Sequence, residues 1–206
     1  MATHSNINLI LSNLPKINLN ELSETNLDQL KKLKSGHDFV IKSSNEFDTF
    51  LLTSIHILSK VEANLFELFP RTLIICNEID TCEKLEKMFN TLSFNFELKT
   101  VVIHDKGNSV IQRNVLYEGI DIVIGTPKRI CELYFQNGIN LKNLKSITIL
   151  ESESISNKGG LTQLMRIHES LPKCQKVIFL DNENLKSNEK LNNFIDLFTI
   201  QAKLLE

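Results

Sequence analysis

The stretch DIVIGTPKRICELY, residues 121–134, decides the fold. An apolar, β-branched run ends at Gly125, and Gly125 with Thr126 makes a tight turn. Pro127 then opens a helix, a position proline favours because its missing N–H would have had no partner there. Lys128 and Arg129 occupy the first helical turn.

Runs of the same kind recur along the chain: DFVIK (38–42), TLIIC (72–76), TVVIH (100–104), SITIL (146–150) and KVIFL (176–180). They are continuous rather than alternating, which suits strands covered on both faces. Between them, FLLTSIHILSKVEANLFELF (50–69), CEKLEKMFNTL (82–92) and LTQLMRIHESL (161–171) carry apolar residues at helical spacing. Strand and helix signals in alternation predict right-handed βαβ units. The expected fold is α/β, a mainly parallel sheet of six or seven strands with helices on both faces. ELSETNLDQLKKLKSG (21–36) predicts a preceding helix with Ser23 as N-cap and Gly36 as stop. A single domain over 1–206 follows, with a leading helical segment to residue 35 and the α/β core from Gly36.

Composition narrows the function. The 206 residues carry 23 basic and 25 acidic side chains, a net charge of −2, so no polycationic footprint implies strong generic nucleic-acid affinity. No stretch is apolar and long enough to cross a bilayer, and the N-terminus lacks the pattern of a secretory signal. Cys76, Cys82, Cys131 and Cys174 form no CxxC pair, which argues against zinc and for a cytoplasmic protein with free thiols. The histidines show no metal-binding spacing, and His56 on a helix reads as a packing or surface residue.

The order of Gln112, Gly119, the Gly125-Thr126-Pro127-Lys128-Arg129 turn, the acidic stretch after SITIL and Gln175 before KVIFL resembles the N-terminal RecA-like half of a DEAD-box RNA helicase. In that family a strand leads into TPGR, the next ends in DEAD and a later one in SAT. The resemblance implies a RecA-like, P-loop NTPase-type fold from about Gly36 onward. It also implies that the functional positions have drifted.

The family's phosphate loop, A-x-T-G-x-G-K-T, follows a strand after G-x-D. Here Gly36 and Asp38 match G-x-D, but the loop reads SSNEFDTF. Glu46 and Asp48 stand at the glycine positions, Thr49 at the lysine and Phe50 at the metal-binding threonine. Such a loop works because glycines let backbone N–H groups curl round phosphates while lysine supplies charge. No glycine lies between Gly36 and Gly107. At ~4 Å and an effective dielectric near 20, each carboxylate facing a triphosphate costs several kcal/mol. These substitutions argue against ordinary ATP binding, and no cofactor is expected.

At the DEAD position the chain has Glu151, Ser152, Glu153 and Ser154 in what reads as a loop. Ser152 replaces the general base, and a hydroxyl cannot do a carboxylate's proton transfer at neutral pH. Two exposed carboxylates alone rarely hold Mg²⁺, so no metal is expected. The SAT position reads Leu180, Asp181, Asn182, and the adenine-reading glutamine aligns with Asn26. PTREL becomes Asn77 to Thr81, and the paired glycines become Asp105 and Lys106. Thr126, Lys128 and Arg129 are the candidate contacts to an RNA phosphate at a helix start. The family's second half, with its arginine finger, has no counterpart in these residues.

The resemblance thus implies a catalytically inactive relative, a non-catalytic module that binds a protein partner or, weakly, single-stranded RNA. Phe47 and Phe50, if exposed, would favour the protein partner. The alternative is the N-terminal half of an ATP-dependent RNA helicase that needs a separate C-terminal domain.

Overall fold

The computed structural model describes residues 2–43, 45–61, 69–180 and 188–205. Among these, seven strands form one sheet, and every registered pair is parallel. They are β1 (Phe39–Lys42), β2 (Thr72–Ile75), β3 (Thr100–Ile103), β4 (Ile122–Gly125), β5 (Ser146–Ile149), β6 (Gln175–Leu180) and β7 (Lys203–Leu205). Their order in space is β3-β4-β2-β5-β6-β1-β7. All six expected runs are strands; β7 is the addition.

The helices are α1 (Ala2–Ser12), α2 (Glu24–Leu33), α3 (Glu46–Lys60), α4 (Ile79–Leu92), α5 (Ser109–Tyr117), α6 (Pro127–Phe135), α7 (Ser152–Asn157), α8 (Gly160–His168) and α9 (Glu189–Phe198). Alternation along the strands sends side chains to opposite faces. Ile74, Ile124 and Phe179 join one core with α1 to α4, whereas Leu73, Ile75, Val123 and Ile178 join a second with α5 to α9. Both faces are covered, which is why the strands read as unbroken apolar runs.

Local signals explain the boundaries. The Ser23 hydroxyl accepts from the Asn26 N–H at 3.1 Å, as an N-cap should, and Gly36 beyond α2 takes φ +78°. Gly125 is required by close approach: a Cβ there would stand 2.6 Å from the Ile103 carbonyl oxygen, which accepts from Thr126 N–H. Asp38, the acid of the G-x-D pattern, is buried and structural. Its two oxygens accept from the N–H groups of Lys176 and Ile200, both at 2.8 Å, and so tie β1 to β6 and to the turn before β7.

Candidate functional site

The C-terminal ends of parallel strands, where the helices that follow begin, are where an open α/β sheet binds ligands. At β1 only Ser43 to Asn45 separate the strand from α3. SSNEFDTF is therefore not an eight-residue loop, because Glu46, Asp48, Thr49 and Phe50 are helical. The Asn45 side chain caps the helix by accepting from Phe47 N–H at 2.9 Å, and acids in the first turn favour its dipole. Thr49 Oγ1 lies 2.7 Å from Ser43 Oγ and 3.0 Å from the Asn45 carbonyl. Asp48 accepts from Asn26 Nδ2 at 3.3 Å, which joins α2 to α3. Glu46 lies 3.6 Å from Lys84, itself bonded to Asp80 at 2.8 Å. Phe50 is buried in the core, whereas Phe47 is 40% exposed.

At β5 the acidic stretch is also a helix start rather than a loop. Glu151 sits in the left-handed region at φ +52°, a strained conformation for a residue with a Cβ. Its carboxylate accepts three hydrogen bonds: Asn77 N–H at 2.8 Å, Glu78 N–H at 3.2 Å and the Thr81 hydroxyl at 2.9 Å. Glu151 thus caps the N-terminal turn of α4 and holds the strained backbone in place. Ser152 is fully buried and donates to the Phe179 carbonyl at 2.7 Å, with Glu153 Oε2 as a second acceptor at 3.1 Å. Ser154 Oγ accepts from Asn77 Nδ2 at 3.1 Å, and Glu78 pairs with Lys158. Leu180 is buried at the end of β6; Asp181 and Asn182 lie outside the described residues.

At β4, Thr126 and Arg129 are buried and Lys128 is exposed. Arg129 Nη2 donates to the carbonyls of Asp105 and Gly107, each at 3.0 Å. Its Nε lies 3.2 Å from the Glu132 carboxylate, an ion pair without a well-aligned hydrogen bond. Lys128 is 3.7 Å from Asp105 Oδ2 and Thr126 Oγ1 is 3.5 Å from Oδ1. The three residues gather around the 105–107 turn of their own chain. No group of three or more His, Cys, Asp or Glu side chains among the described residues is placed to hold a metal ion. No helix among them is long and apolar enough to cross a membrane.

At the opposite edge, His56 is a buried packing residue. Its imidazole lies 3.1 Å from Gln175 Oε1, which also accepts from Lys60 Nζ. Burial, with Lys60 nearby, pushes the His56 pKa down to about 3, and burial lowers Lys60 to about 8. Gln175 completes the cluster by donating to the carbonyls of Leu33 at 3.0 Å and His37 at 2.6 Å. Buried Cys76 is beside Cys82, and burial raises its thiol pKa further from neutrality.

Comparison with known proteins agrees with this architecture. The DEAD/DEAH box helicase family model matches residues 48–180, and the chain belongs to that family. It is 34% identical over 70 residues to the human protein described as probable ATP-dependent RNA helicase DDX43, covering 34% of this chain and 11% of that relative. It is 25% identical over 103 residues to ATP-dependent RNA helicase RhlB of Shewanella denitrificans, covering 50% of this chain and 24% of that one. The matched segments are thus a small part of these relatives. The fold is RecA-like: a structure of a S. cerevisiae Dbp5 variant bound to a Gle1 variant and IP6 superposes with a TM-score of 0.83 at 14% identity, over 96% of this chain and 49% of that one.

Proposed function

We propose that this domain is a non-catalytic member of its family, one that neither binds nor hydrolyses ATP. The observation that carries this reading is the connection after β1. A phosphate cradle needs a wide glycine loop and a lysine. Here three residues lead into a capped helix whose first turn holds Glu46 and Asp48. The buried Ser152 supports the same reading, since its hydroxyl bonds a main-chain carbonyl. Glu151, the one carboxylate at the first DEAD position, is occupied by three donors of the adjacent helix.

The positive role is binding. A protein partner at the strand-end edge is favoured by exposed Phe47, flanked by Glu46 and Asp48; buried Phe50 adds nothing to that surface. Weak RNA contact at Thr126, Lys128 and Arg129 would fall to Lys128, because Arg129 is turned inward. Free buried thiols fit a reducing compartment, and a cytoplasmic location is part of the proposal. The test is phosphate release from ATP–Mg²⁺, with and without single-stranded RNA. No release above the blank is expected. Turnover that persists through purification and disappears in Glu151→Gln would overturn the reading in favour of an active helicase half.

A further inference from the structure

The strand-start edge carries a different set of groups. Backbone hydrogen bonds fix their order in space: Asp121 N–H donates to Lys99 O at 3.0 Å, Arg71 N–H to Asp121 O at 2.9 Å, and Lys145 N–H to Arg71 O at 2.7 Å. Arg71 and Asp121 are buried and paired with each other, so their charges offset. Lys99 and Lys145, on either side of that pair, are exposed. Three strand spacings separate them, ~14 Å. Lys142 and Lys173 are exposed at the same edge, as are the acids Glu97, two residues before Lys99, and Glu118, whose carbonyl lies 3.4 Å from Lys99 Nζ.

Between Lys99 and Lys145, the segments leading into β4, β2 and β5 leave a cleft of about 250 Å³. Phe69, Pro70, Leu116, Tyr117, Asn137 and Asn140 line it. Its two aromatic rings remain open to solvent, Phe69 by 38% and Tyr117 by 61%. Tyr117 is held in place, its hydroxyl donating to the Asn137 carbonyl at 3.0 Å. Lys99 Nζ lies 3.4 Å from the Glu118 carbonyl, next along the chain from Tyr117. On the other wall Asn140 Oδ1 accepts from Lys142 N–H at 3.0 Å. The Arg113 stem backs the cleft at Gly138, where a Cβ would lie 3.1 Å from its Cγ and Cδ, and Arg113 Nε is buried without a hydrogen-bond partner.

We propose that this cleft and its lysines bind single-stranded nucleic acid, one base resting on Phe69 and Tyr117 and flanking phosphates on Lys99, Lys142 and Lys145. Aromatic faces beside a row of cations are the groups that bind single strands without reading sequence. A protein-binding patch would instead be depleted in lysine. The site is on the far edge from the phosphate-loop position, so it stands or falls independently of ATP binding.

The test is fluorescence anisotropy of labelled oligouridylate and oligothymidylate, at low and at physiological salt. Expected are saturable binding by at least one of them that weakens with salt, and about tenfold weaker binding in Tyr117→Ala. The Lys142→Glu, Lys145→Glu double variant should bind still less, and Lys190→Glu on α9, outside the cleft, should bind as the parent does. Should Tyr117→Ala fold poorly, the reversals at the exposed lysines decide the matter. No binding by either oligonucleotide at low salt would overturn the proposal. So would binding indifferent to both sets of cleft variants, or polyglutamate binding as tightly as RNA, which would point to an acidic protein partner.

Discussion

At Ser152 a hydroxyl stands where a general base would have to face solvent, yet it is fully buried and bonded to the Phe179 carbonyl 2.7 Å away. Ser152→Ala leaves that acceptor without its partner, a loss of about 1–3 kcal/mol for a buried group. The expected outcome is a lower urea midpoint with an unchanged slope, and no change in nucleotide affinity. Neighbouring Glu151 shows the same shift of purpose. A carboxylate at the first DEAD position was legible in the sequence, but its work as a cap for α4 was not, because two of its three donors are backbone N–H groups. Arg129 was equally opaque: its acceptors are the carbonyls of residues 105 and 107, which leave no mark on residue type.

Among the elements, α3 separates family pattern from local chemistry. Alignment to the phosphate loop predicts a loop through Phe50, whereas Asn45 followed by Glu46 and Asp48 is itself an N-terminal helix signature. The local signal prevailed, and the helix begins at Glu46. Writing the family's residues back, as Glu46→Gly, Asp48→Gly and Thr49→Lys, puts two glycines into a helical turn at a cost of about 1 kcal/mol each. We expect that variant to melt lower and, where the short connection persists, still not to bind ATP; thermal denaturation followed by nucleotide titration checks both. The strands were legible because each is a continuous apolar run. β7 was not, since Lys203 and Leu204 are exposed and the strand exists through its pairing with β1.

For the molecule as a whole, the two edges of the sheet carry different sets of groups. The strand-end edge, where the family places its chemistry, is filled by caps and ion pairs within the chain. The strand-start edge holds the buried His56–Gln175–Lys60 cluster and the Phe69–Tyr117 cleft, neither legible in sequence because their parts come from distant segments. The cluster makes a pH prediction. His56 stays neutral in the fold down to about pH 3, whereas in the unfolded chain it takes up a proton below its ordinary value of 6.5. Its contribution is therefore full above that value and is lost as pH falls toward 3, at up to ~1.4 kcal/mol per unit. Between about pH 7 and pH 5 the urea midpoint should fall, and His56→Gln should flatten that slope. Calorimetric titration of the protein with ATP–Mg²⁺ shows whether the nucleotide site has closed. A closed site gives no heat beyond dilution up to millimolar ATP. A saturable isotherm in that range, lost when ATP is replaced by adenosine, would show the site to be open.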